Sequence, residues 1–139
     1  MVKFTQAQLD EVNDTLQSAE DCLKWAFDNL HPKLAKASSF GAEDAAIIDM
    51  MFKTRSDARL FTLETGRLPQ ATFDVMIEVE KRYDTKIEML YPDEQEVEKM
   101  VKEKGLDCFY DSIENRKLCC GIRKVHPIKK MLEAVGIKK

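Results

Sequence analysis

The stretch Arg59-Leu60-Phe61-Thr62-Leu63-Glu64-Thr65-Gly66-Arg67-Leu68-Pro69 decides the fold. Residues 59–65 read as a short buried strand that Gly66 stops, and Pro69 then opens a helix carrying Phe73, Met76, Ile77, Val79 and Tyr83. The same succession lies on either side. Upstream, Leu34 to Phe40 is short and rich in small residues, a strand ending at Gly41, with a helix through Ala45, Ile47, Ile48, Met51 and Phe52 behind it. Downstream, Lys86 to Tyr91 is a third strand, stopped by Pro92. Asp93 and Glu96 cap the helix bearing Val97, Met100 and Val101, and Gly105 ends it. Strands alternating with helices predict an α/β fold, a parallel sheet with helices on both faces. Ligands of such sheets gather at the carboxyl ends of the strands. The loops that matter are therefore 38–44, 65–69 and 91–93.

Residues 1–33 form a helical lead-in expected to pack on the domain that follows, which runs over 34–139. Thr5 and Gln8 fit a capping box, with Phe4 and Leu9 as its hydrophobic staple. Leu9, Val12, Leu16, Ala19, Leu23, Ala26 and Leu30 mark one apolar helical face, bent or broken near Ser18, and Trp25 and Phe27 widen it.

A chain of 139 residues suits one domain. It is 44% hydrophobic and 34% charged, enough for a core and a solvated surface. The net charge of −3 gives no electrostatic case for nucleic acid as the main partner. No apolar run reaches membrane-spanning length, and the first residues do not resemble a signal peptide. Cys22, Cys108, Cys119 and Cys120 are too irregularly spaced for a secreted disulfide framework, so a reducing cytoplasm is the expected home.

The loop Ser38-Ser39-Phe40-Gly41-Ala42-Glu43-Asp44 places hydroxyls and a glycine between a strand and a helix. Amides at a helix start make an anion cradle. Glu43 and Asp44 oppose that reading, because they can complement the helix dipole themselves, and a plain serine cap is the alternative. The loop is neither a Walker sequence nor a spaced-glycine dinucleotide motif. At the second strand end, Arg67 can fork onto a phosphate or sulfate, or can be an ordinary surface arginine.

Near the end stands Cys119-Cys120-Gly121-Ile122-Arg123-Lys124-Val125-His126-Pro127-Ile128. Adjacent cysteines are poor disulfide partners. Beside Arg123 and Lys124 they suit metal or cluster ligation, or redox sulfur; the alternative is two packing residues on a helix.

Taken together, the motifs at 38–44, 62–69 and 119–128 closely resemble the adenylyl-sulfate reductase branch of the family that also contains the phosphoadenylyl-sulfate reductases. The resemblance runs from about Leu34 onward, and the vicinal cysteines point to the adenylyl-sulfate branch. It implies an adenine-nucleotide α-hydrolase-like fold, Rossmann-like with a modified PP-loop, truncated here after about three strands. It implies reduction of adenylyl sulfate to sulfite and AMP in sulfate assimilation, with thioredoxin as electron donor and a C-terminal cysteine as nucleophile. Ser38, Ser39, Phe40 and Gly41, with Thr65, Gly66 and Arg67, would bind the substrate. Cys119 and Cys120 would be two of four ligands of a 4Fe–4S cluster, and Lys124 would support catalysis between cluster and substrate. Glu64 stands where the family usually has aspartate.

The resemblance also implies parts not found in these residues. There is no Cys-x-x-Cys and no cysteine after Cys120, and Cys22 and Cys108 match no motif position. The nucleophile is expected beyond Lys139, and the chain as given is expected to be a partial or inactive form. A homo-oligomer or a complementing second half is a possible partner. Two other functions stay open: an adenine-nucleotide-binding remnant without redox chemistry, and a PP-loop ATP pyrophosphatase relative.

Overall fold

The structure is a computed structural model that describes residues 4–134. Two helices lead in, α1 (Gln6–Thr15) and α2 (Ala19–Leu30). Both carry capping boxes, Thr5 with Gln8 and Ser18 with Asp21, and the second restart is the break expected near Ser18. The alternating part follows as β1 (Ala35–Ala37), α3 (Ala42–Thr54), β2 (Arg59–Leu63), α4 (Gln70–Tyr83), β3 (Glu88–Leu90) and α5 (Glu94–Lys104). A short 3₁₀ turn at Cys108–Tyr110 leads into α6 (Ile113–Cys120), a π turn at Gly121–Val125 and α7 (His126–Ala134).

The sheet is parallel, in the order β1-β2-β3. Ala37 pairs with Phe61, and Phe61 with Glu88. The strands are shorter than the sequence suggests. One backbone bond persists past each register, from Ser38 N–H to the Phe61 carbonyl and from Glu64 N–H to the Leu90 carbonyl, before the chain turns out into its loops.

Side chains alternate across β2 and so build two cores. Leu60, only 1% exposed, faces Ile48, Met51 and Phe52 of α3, Met76 and Val79 of α4, and Phe27 of α2. Phe27 is thus the anchor of the lead-in, while α1 buries nothing and Leu9 stays exposed. On the other face, Phe61 and Leu63 look toward Ile128 of α7. A second cluster joins Met100 of α5 with Cys108, Cys119 and Ile122. These elements put helices on both faces of the sheet.

The π turn has a local cause. Pro127 has no N–H, and its ring would crowd the carbonyl four residues back in a regular helix. Widening the turn relieves this, and the His126 N–H donates to the Gly121 carbonyl instead. Such single wide turns often mark functional positions.

Candidate functional site

The loop after β1 is tightly organised. Ser38 is buried; its hydroxyl oxygen accepts the Phe40 N–H at 3.0 Å and its carbonyl accepts the Thr62 hydroxyl at 2.8 Å. Those bonds hold Phe40 at φ 63°, a conformation that costs a non-glycine residue energy and tends to persist where surrounding contacts enforce it. Gly41 precedes α3 with no side-chain cap, leaving first-turn amides uncapped. Its φ is ordinary, but a Cβ there would lie 3.0 Å from the Glu43 carboxylate.

Asp44 is the loop's internal anion. Its carboxylate accepts the Ser39 N–H at 2.7 Å, the Ser39 hydroxyl at 3.0 Å and the ammonium of Lys36. Burial acts to raise its pKa, but the bonds from Lys36 and Ser39 outweigh burial and hold the carboxyl far below the ordinary carboxylate range. A depressed folded-state pKa gives stability that is present above the unfolded value of about 3.9 and is lost as pH falls below it. Denaturant midpoints measured between about pH 7 and pH 3 should therefore fall more steeply for the native chain than for Asp44→Asn. Parallel slopes would show that Asp44 is not so held.

The loop after β2 turns back on itself. Gly66 has φ 72°, its N–H bonds to the Glu64 carboxylate, and the Arg67 N–H bonds to the Thr65 hydroxyl at 3.3 Å. The longer Glu64 still closes this turn, although its second oxygen is buried without a partner. Arg67 does not face Ser38. It donates to Asp107 at 2.8 Å and stacks on the Phe109 ring, 4.7 Å from its centroid.

Cys119 and Cys120 end α6. Neighbours on a helix point about 100° apart, so Cys119 is buried and Cys120 exposed. Both are free thiols. Arg123, 7% exposed, reaches from the π turn to donate to the Thr65 carbonyl, and its buried Nε has no partner.

Two neighbouring cavities collect these groups. One, of about 330 Å³, is lined by Ser38, Ser39, Asp44, Thr65, Lys124 and Ile128, among others. The other, of about 350 Å³, holds Cys119 and Cys120 with Arg67, Arg116, Arg123 and Lys124 around them. Thr65, Leu68 and Lys124 line both. Phe40, Gly41 and Gly66 shape the loops without lining either cavity. Two larger hollows have more carboxylates than cations and suit an anion less: the groove between α3 and α4 sets Asp49, Asp74 and Glu78 against Lys81 and Arg82, and the one beside His126 sets Asp93, Glu94 and Glu96 against Lys130.

On charge, the cysteine cavity fits an anionic thiolate-ligated cluster: its guanidiniums and Lys124 offset such a group, and the unpartnered Nε of Arg123 is a spare donor. On ligand number it offers two thiols, Cys119 and Cys120, and among the described residues no group of three or more His, Cys, Asp or Glu is placed to hold a metal ion. Arg116 went unnoticed in the sequence; it lies one helical turn before the cysteines, a spacing that marks a shared face. The clamp from Arg123 to Thr65 joins residues 58 positions apart and has no local signal.

A family model described as the phosphoadenosine phosphosulfate reductase domain matches residues 33–138. An adenosine 5′-phosphosulfate reductase of Pseudomonas aeruginosa (strain LESB58) is 40% identical over 119 residues, 86% of this chain and 43% of that protein. One from Allochromatium vinosum is 42% identical over 96 residues, 69% of this chain and 38% of that protein. The crystal structure of phosphoadenylyl-sulfate reductase from Candida auris, a phosphate complex, matches with a TM-score of 0.80 at 25% identity, over 99% of this chain and 66% of that one. The chain thus spans less than half the length of these two bacterial relatives.

Proposed function

Because the chain belongs to the phosphoadenosine phosphosulfate reductase domain family, we propose that it forms the nucleotide-binding part of a reductase that converts adenylyl sulfate to sulfite and AMP, with thioredoxin as donor. The observation that carries this reading is the shared wall of the two cavities: Lys124 and Thr65 belong to both. An adenine nucleotide in the first cavity would put its phosphosulfate at Lys124, beside the cysteine cavity.

The reaction takes two electrons. A thiol attacks the sulfur, the S–O bond to AMP breaks, and a dithiol donor releases sulfite while becoming a disulfide. Neither Cys22 nor Cys108 lines either cavity, so neither is assigned to the attack. The substrate anion is bound by the Lys124 ammonium, and Thr65 orients it from the loop that Arg123 clamps. Cys119 and Cys120 would provide two ligands of a 4Fe–4S cluster, the others coming from outside the described residues. Such a cluster supplies an anionic iron–sulfide centre whose properties depend on nearby donors and charge. The four free cysteines favour a reducing compartment such as the cytoplasm. No described helix is long and apolar enough to cross a membrane.

Lys124→Ala should weaken adenylyl sulfate binding about tenfold or more, the loss of one charge-assisted contact, and leave adenosine binding nearly unchanged. Titration calorimetry with both ligands checks this; equal losses for the two would place Lys124 away from the phosphosulfate. A second reading, a nucleotide-holding domain without redox chemistry, draws on the lack of a third metal ligand among the described residues.

A further inference from the structure

The cysteine cavity carries charge of one sign. Arg67, Arg116, Arg123 and Lys124 line it with Cys119 and Cys120, and no carboxylate does. Asp107 pairs with Arg67. Arg116, Arg123 and Lys124 have no carboxylate partner among the described residues. The wall also holds an unmet donor. Arg123 is 7% exposed; its Nη1 donates to the Thr65 carbonyl, while its buried Nε has no hydrogen-bond partner. A buried donor left over in this way is commonly met by an ion or water. Clefts lined by one sign of charge concentrate small molecules of the other sign. Of the two thiols in this cleft, only Cys120 is exposed.

We propose that Cys120, while it carries no iron, is a modification site selective for small disulfides that bear carboxylates. The cations collect the anionic disulfide, and one half of it is exchanged onto Cys120. The Cys120 thiol gives its proton to solvent and the thiolate attacks one sulfur of the reagent. A new S–S bond forms, the old one breaks, and the other half leaves as a thiolate with the electron pair. Cys120 is thereby oxidised to a mixed disulfide and the departing half is reduced. A dithiol reverses the step and becomes a disulfide itself. While the cap stays on, Cys120 cannot ligate iron. Arg116 is the cation best suited to test this. It is exposed on α6, one helical turn before Cys120, so replacing it leaves the core intact. The selection acts on the charge of the reagent and needs no nucleotide in the neighbouring cavity.

The test reacts the iron-free 139-residue chain with an anionic disulfide, 5,5′-dithiobis(2-nitrobenzoate), and with a cationic one, cystamine. Peptide mass spectrometry gives the rate at each cysteine. Cys22, exposed on α2 beside Glu20 and Asp21, is the internal reference. Each thiol's own reactivity cancels when its anionic rate is divided by its cationic rate. That quotient should be at least about tenfold higher at Cys120 than at Cys22 at low ionic strength. It should fall at least about threefold in Arg116→Glu, and added salt should lower it as the field is screened. Cys22 should not respond to Arg116→Glu. Equal quotients at the two cysteines overturn the proposal, as does a Cys120 quotient unmoved by Arg116→Glu or by salt. Modification that falls on Cys119 instead of Cys120 overturns it as well.

Discussion

Cys120→Ser should abolish iron binding and sulfite formation together, in a protein that carries this chain with the remaining cluster ligands, and should barely alter stability. Cys120 is exposed, so serine there costs no packing. Cys119→Ser should lose iron in the same way and should also cost stability, because Cys119 is buried with Met100, Cys108 and Ile122. The exposed member of the pair is therefore the better probe. If the two cysteines are only packing residues, Cys120→Ser leaves iron unchanged. The chain alone should hold no stoichiometric four-iron cluster after anaerobic reconstitution, since two thiols line the cavity and such clusters are ordinarily held by four. A full complement of iron and sulfide on it would overturn the two-ligand assignment.

Arg123→Met should destabilise the fold by about 1.5–3 kcal/mol, the usual range for a hydrogen bond made by a charged group. The bond it loses ties the π turn to the Thr65 carbonyl, and the methionine leaves that buried loop without its clamp. Gly66→Ala should also destabilise, because alanine is strained at φ 72° and its Cβ would stand 3.1 Å from Arg123 Nη1. The two changes touch one contact and should not add. In the Arg123→Met background the crowding part of the alanine cost disappears, while the backbone part remains. Chemical denaturation of the four proteins in this cycle gives the coupling; strict additivity would show that Arg123 and Gly66 do not meet.

How much of this was legible depended on whether the signal was local. Gly66, Pro69 and Asp93 end or begin elements by backbone chemistry that acts within a few residues, and each element they bound is present. The alternation of strand and helix gave the parallel sheet. The motifs led to the loops that meet at Lys124. Orientation was harder to see. The sequence left Arg67 open between an anion contact and an ordinary surface arginine, and could not show that its guanidinium donates to Asp107, 40 residues away in sequence. Asp44 was recognised as an obstacle to phosphate in that loop, but its bond to Lys36 depends on β1 running beside the start of α3. The π turn required knowing that Pro127 would sit inside a continuous helical run rather than after one.

The central claim is that nucleotide binds where the β1 and β2 loops meet Lys124. Amide chemical shifts of the isotopically labelled chain, followed while AMP is added, test it most directly. The expected result is a saturable change at Ser39, Thr65, Gly66 and Lys124, with the groove around Asp49, Asp74 and Tyr83 unmoved. Saturable shifts confined to that groove, or no saturable shifts at all, would contradict the account.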